Sequence, residues 1–227
     1  MKKAVLFDLD DTLYDYKPAH EKALKEVYKF FKKEFKISKE RFTRLFNLSK
    51  TEIKHELEGT ASSHNRILYF QRLIEKTHHT VEPKISLQLY KIYWDTFLKN
   101  MKLRKGVLET LKELKKQDIK IVLVSDLTTH VQLRKIQKLK ITQYIDYLVT
   151  SEECGSEKPH SIMFLLALKK LNILSQDAIF VGDSQKKDIE GANSVGLDTV
   201  WITNKSIIKK DKEDHSKPDY QIKQIPE

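Results

Sequence analysis

Four acidic side chains crowd into the first fifteen positions: Asp8, Asp10, Asp11 and Asp15 in the stretch FDLDDTLYD. A short apolar run, Ala4 to Phe7, leads straight into the first three. Carboxylates held this close resist joint ionisation unless something positive sits among them. Two readings are open at this point: an Asp-rich surface turn bathed in water, or a group of acids that faces a cation and does chemistry. Three more polar clusters are placed in the same way, each directly behind an apolar run. Ser125-Asp126 follows IVLV (121–124), SEECGSEKP (151–159) follows YLVT (147–150), and Gly182-Asp183 follows AIFV (178–181).

The elements that must position these groups can be read from the same runs. Together with TVWI (199–202), they are too short for helices, rich in β-branched residues and without alternation, so each is predicted to be a strand buried on both faces. From residue 105 onward, helical patterns separate them: VLETLKELKKQ, HVQLRKIQKLK, SIMFLLALKKLN and KKDIEGANSVG. Strands alternating with helices of this length predict right-handed βαβ units, hence an α/β fold with a Rossmann-like core of parallel strands flanked by helices. Residues 16–100 break the rhythm with four long amphipathic stretches, in which Leu24, Val27, Tyr28 and Phe31 keep the helical spacing. An all-helical domain over 16–100, inserted into a core of 1–15 and 101–227, is the expected organisation. Breaks at GTAS (59–62) and around Pro83 separate its helices. The stretch 205–217 is expected to be a charged, loose tail, and PDYQI (218–222) an edge strand.

In open parallel sheets the ligand site lies at the carboxyl ends of the strands, so all four polar clusters arrive at one rim. There Asp8 and Asp10 would face Lys158 and a metal. Carboxylate and carbonyl ligands suit a hard cation such as Mg²⁺, with Asp8 and Asp183 the best side-chain ligands. Zinc has no support, because Cys154 stands alone and His78-His79 are adjacent on a polar stretch. The six glycines spell neither GxGxxG nor GxxxxGK, which excludes a dinucleotide fingerprint and a P-loop. Phosphate would instead meet Ser125 and the N–H groups after it, including that of Asp126, at the start of a helix. For Asp126 itself, a helix-capping role is at least as reasonable. Lys158 precedes Pro159, read as a first helical residue, which would set its ammonium near a second helix start.

The balance of 42 Lys and Arg against 32 Asp and Glu gives a net charge of +10. Such a field favours anionic partners. The lysines are spread through helices, however, and no compact basic block with interleaved aromatics calls for nucleic acid. A single cysteine rules out an internal disulfide and fits a reducing cytoplasm. The opening apolar run ends after four residues, too short for a signal peptide or membrane span, so no membrane association is expected.

In order along the chain, FDLDDTL (7–13), the strand-terminal Ser125, GSEKP (155–159) and GDSQKKD (182–188) resemble the motifs of the haloacid dehalogenase superfamily. PDYQI resembles its last strand, and the helical insertion is similar to its small cap domain. The resemblance implies the subgroup of phosphoglycolate phosphatases, β-phosphoglucomutases and haloacid dehalogenases. It further implies Asp8 as nucleophile and Asp10 as general acid/base, with the Asp10 backbone carbonyl also on Mg²⁺. Ser125 and Lys158 would bind phosphate, Asp183 the metal, and Asp188 would support the metal or Lys158. Asp11 receives no chemistry.

The activity so implied is Mg²⁺-dependent hydrolysis of a small phosphorylated metabolite through an aspartyl-phosphate. Dehalogenases attack carbon and need no proton donor two residues beyond the nucleophile, so Asp10 argues for phosphoryl chemistry. A phosphomutase would use the same residues, and a silent module binding anions or nucleic acid stays open as another class. No obligate protein partner is implied. Substrate choice would fall to the insertion, where His64 and Arg66 could meet a second anionic group; the alternative is a helix start capped by Ser62 or Ser63, with both residues facing solvent.

Overall fold

The computed structural model describes residues 2–203 and 216–225, so most of the stretch expected to be a loose tail lies outside the described residues. The chain divides into two compact units, one of residues 1–15 with 102–227 and one of residues 16–101.

In the first unit, the apolar runs become strands β1 (Ala4–Phe7), β2 (Lys120–Ser125), β3 (Tyr147–Thr150), β4 (Ala178–Gly182), β5 (Asp198–Ile202) and β6 (Tyr220–Ile222). All pair in parallel, in the order β3-β2-β1-β4-β5-β6. From β1 the chain winds outward to β2 and β3, then returns to the other side of β1 for β4, β5 and β6. The strand order therefore reverses between β1 and β4, the place where open α/β sheets form a ligand crevice beyond the strand ends.

Leu6, Val122, Val124, Val149 and Phe180 pack with Met163, Phe164 and Ala167 in the core. The expectation that every run is buried on both faces fails at β3. It is an edge strand, and Tyr147 is 43% exposed.

Around the sheet lie helices α5 (Val107–Lys116), α6 (Thr129–Leu139), the single turn α7 (Ser151–Cys154), α8 (Ile162–Leu171) and the short α9 (Glu190–Asn193). Two helix expectations need correction. The pattern KKDIEGANSVG yields a turn of π-helix over Gln185–Ile189 followed by the short α9, not one regular helix. Gly191 there lies so close to Phe164 that a Cβ would stand 2.5 Å from the ring. Pro159 does not open a helix; α8 starts at Ile162.

The second unit consists of α1 (Tyr16–Phe35), α2 (Lys39–Glu56), α3 (Arg66–His78) and α4 (Pro83–Asn100), with a 3₁₀ turn over Ala61–His64. The apolar stripes read from the sequence face one another: α1 packs on α4, α2 on α3 and α3 on α4. Phe31, Phe46, Phe70, Tyr93, Trp94 and Phe97 fill the interior. Ser38 caps α2 by accepting from the Arg41 N–H, and Pro83 supplies the fixed φ of the first turn of α4. No helix among the described residues is long and apolar enough to cross a membrane.

Candidate active site

β1 delivers Asp8 to the crevice, and the Asp8 N–H donates to Val181 O of the neighbouring β4 at 2.9 Å. Its two carboxylate oxygens are held separately: Lys158 Nζ reaches Oδ1 at 2.6 Å, and the buried Thr12 hydroxyl donates to Oδ2 at 2.9 Å. The same Lys158 ammonium reaches Asp188 Oδ1 at 2.6 Å. Burial works against charge on Lys158, but the carboxylates of Asp188, Asp8 and Asp126 outweigh it and hold the group protonated, well above the usual lysine range.

Asp188 is brought in by the π-turn behind β4. Its Oδ2 accepts from the Ser184 N–H at 2.9 Å, so the turn is tied around the carboxyl group. Gly182 makes this approach possible, because a Cβ there would meet the Asp188 carboxyl at 2.5 Å. Asp183 follows directly. Its backbone carbonyl accepts from the Trp201 indole N–H at 2.8 Å, which pins the end of β4 to β5.

Oxygen atoms of Asp8, Asp183 and Asp188 all lie within 4.8 Å of one another. Burial, with the neighbouring carboxylates of Asp188 and Asp11, pushes Asp183 up to about 6. Burial raises Asp8 as well, and the charges of Asp188, Asp183 and Asp10 add to this against the opposing pull of Lys158. Three carboxylates around one ammonium leave two negative charges in a buried place. One divalent cation balances them, and an all-oxygen donor set of this kind suits Mg²⁺.

Ser125 closes β2 and is buried, with its hydroxyl accepting from Gln132 Nε2 at 2.7 Å. Asp126 is committed elsewhere: Oδ1 accepts from the Lys158 N–H at 3.0 Å and Oδ2 from Lys187 Nζ at 2.7 Å. Burial would raise its pKa, yet the charges of Lys158 and Lys187 bring it below the usual range. Its carboxylate thus clamps the loop that carries Lys158. The helix-capping alternative for Asp126 is corrected, since Thr128 holds the N-cap position of α6 and Glu152 accepts from the Thr129 N–H. Leu127, the next residue, is bent to φ 100, a conformation costly for a branched side chain, and its N–H is held by Ser151 Oγ at 2.8 Å.

Asp10 points to a partner not expected from the motifs. Lys135 Nζ stands 2.7 Å from both of its carboxylate oxygens, and the Tyr14 hydroxyl donates to Oδ1. Burial acts upward on Asp10, but Lys135, Tyr14 and Gln132 outweigh it and lower its pKa. Lys135 and Gln132 lie on the buried face of α6 beside Val131, Ile136 and Leu139. A lysine at a core position of a helical pattern was the available signal. Asp11 adopts φ 63, a left-handed conformation that Asp tolerates better than most residues, in the turn that brings Tyr14 alongside Asp10 in a parallel bridge.

His64 and Arg66 belong to the helical unit. Asn65, not Ser62 or Ser63, caps α3 by accepting from the Ile67 N–H at 3.1 Å. Arg66 does not face solvent: it is buried, donates to the His64 carbonyl and the Tyr16 hydroxyl, and lies over the rings of Tyr69, Tyr93 and Trp94. Among the described residues, Nε has no hydrogen-bond partner, and the groups acting most on the guanidinium are Tyr16, Tyr93 and Tyr69, not carboxylates. Burial, then the charges of Arg66 and Lys50, push the nearby His20 down to about 3.

The family model described as haloacid dehalogenase-like hydrolase matches residues 5–202. Ribulose-1,5-bisphosphate 5-phosphatase from Halopiger xanaduensis is 41% identical over 88% of this chain and 84% of its own length. Glyceraldehyde 3-phosphate phosphatase from Methanopyrus kandleri is 31% identical over 98% of this chain and 93% of its own. Among solved structures, a HAD phosphatase from Thermococcus onnurineus superposes with a TM-score of 0.71 at 25% identity, covering 99% of this chain and 94% of that one.

Proposed function

The chain belongs to the haloacid dehalogenase-like hydrolases, and from that premise we propose that it is a Mg²⁺-dependent cytoplasmic phosphatase of a small phosphorylated metabolite, working through an aspartyl-phosphate. Within the family, the reading places it with the phosphoglycolate phosphatase type of small helical cap. The observation that carries the proposal is the bridge made by Lys158, 2.6 Å from Asp8 and 2.6 Å from Asp188, beside the third carboxylate of Asp183.

The carboxylates of Asp8 and Asp183 and the backbone carbonyl of Asp10 would hold Mg²⁺, which when bound would supply positive charge to the phosphate. Lys158 supplies a second, fixed positive charge from the protein itself. The Thr12 and Lys158 contacts hold the Asp8 carboxylate in one orientation, so little reorganisation precedes its attack on phosphorus. Ser125 and the Asp126 N–H receive the phosphate oxygens. Asp10 gives a proton to the departing oxygen and takes one back from the water that hydrolyses the acyl phosphate. Asp188 keeps Lys158 in place.

Relatives that act on sugar and triose phosphates support a substrate of that size. Arg66 and His64 are the proposed contacts for a second anionic group of the substrate, because a guanidinium whose Nε has no partner among the described residues suits an incoming anion.

The test is phosphate release from a panel of phosphorylated metabolites, with Mg²⁺ and with chelator. Turnover that needs Mg²⁺ and disappears in Asp8→Asn is expected. Release undiminished by Asp8→Asn would overturn the proposal. With an identified substrate, Arg66→Lys should raise KM for substrates bearing a second anion more than for a simple monoester.

A further inference from the structure

Lys135 is fully buried, and a buried ammonium is strongly unfavourable unless it is paired with good geometry. Its pairing here is of an unusual kind. One nitrogen lies 2.7 Å from each oxygen of Asp10, so the ammonium sits astride the carboxyl group. Tyr14 adds a second donor to Oδ1, brought there by the turn that passes through the left-handed Asp11. With Gln132 these contacts fix a group that needs only one ion pair for charge balance. An ion pair serving stability alone has no need of that redundancy.

We propose that Lys135 is a positioning residue for Asp10, which rests on the reading of Asp10 as the proton donor of a phosphatase. Asp10 rests as the carboxylate that Lys135 holds and takes up the proton of the phosphate monoanion as substrate enters. As the bond between phosphorus and the departing oxygen breaks, that proton moves to the oxygen and the carboxylate returns. Lys135 receives that carboxylate in one orientation, the orientation seen here. When water later attacks the acyl phosphate, the carboxylate takes up a water proton and passes it to the released phosphate, which restores the resting pair with Lys135. Lys135 never touches the substrate; it acts by setting where the Asp10 oxygens are.

This predicts a loss that depends on how much the departing group needs a proton. A series of aryl phosphates, from 4-nitrophenyl to phenyl, grades that need while keeping the phosphate constant. Lys135→Met, close to lysine in volume, should lower kcat/KM on the phenyl ester by about tenfold or more beyond its effect on the 4-nitrophenyl ester. Lys135→Arg keeps the charge but cannot place one nitrogen on both oxygens, and should show a smaller loss of the same selectivity. It also reads the ratio should the Met variant not fold. Equal losses on all esters, or none, would overturn the proposal and leave Lys135 a structural ion pair. Absence of turnover by the unaltered protein on every ester would instead remove the phosphatase reading, and this one with it.

Discussion

Asp188 shows how one missing side chain creates a site. Its carboxyl occupies the space where a Cβ on Gly182 would stand, at 2.5 Å, and from there it reaches both Lys158 and the Ser184 N–H. Gly182→Ala must push Asp188 away, which loosens Lys158 and spreads the carboxylate group. Mg²⁺ affinity should fall by about 10- to 100-fold, the usual effect of disturbing groups that support metal ligands, as read by titrating activity against Mg²⁺. An unchanged Mg²⁺ response would show that Asp188 has no part in holding the site. Asp8, Lys158 and Asp183 could be singled out from sequence because each stands in a polar stretch behind an apolar run, and Asp188 through the resemblance carried by GDSQKKD. Lys135 could not be paired with Asp10 that way, since 125 positions separate them and only the fold brings α6 back to β1. Thr12 was equally hidden: it lies inside the first motif, and only the turn after β1 shows that its hydroxyl points at Asp8.

The loop between β2 and α6 holds a strained backbone at Leu127. Leu127 holds φ 100 next to the residues proposed to receive phosphate, and Ser151, just after β3, accepts its N–H. Ser151→Ala leaves that buried N–H without a partner, at about 1–3 kcal/mol. Thermal or urea unfolding should register the loss, and KM should rise as the loop relaxes; unchanged stability would mean that the contact does not restrain the loop. Elements were readable where burial and period agree. β1 is the clearest case, buried along its whole length between β2 and β4, and the stripes of α1 to α4 follow the helical period because each faces another helix. β3 misled because an apolar strand composition does not say which strand ends the sheet. The segment 186–196 misled because its period looks helical, while the need to aim Asp188 at Lys158 widens the turn.

For the molecule as a whole, the helical unit carries an acid-sensitive point. His20 accepts from or donates to Tyr93 at 2.7 Å and is pushed down to about 3 from the usual 6.5, chiefly by burial and then by Arg66 and Lys50. Between these values the unfolded chain binds a proton at His20 and the folded chain does not. Stability is therefore intact above pH 6.5 and declines as pH falls toward 3, by up to about 1.4 kcal/mol per pH unit from this group. Urea midpoints at pH 7 and pH 5 should differ less in His20→Gln than in the unaltered protein; an equal difference would contradict the assignment. At the same scale, the net charge of +10 suits an anionic substrate. What the account rests on most is a covalent bond between Asp8 and phosphorus, and borohydride added during turnover tests it directly, since reduction of an aspartyl-phosphate leaves homoserine. Peptide mass spectrometry should find homoserine at position 8, only with Mg²⁺ and substrate present. Active protein reduced under those conditions with Asp8 intact, or with the label on another aspartate, would contradict it.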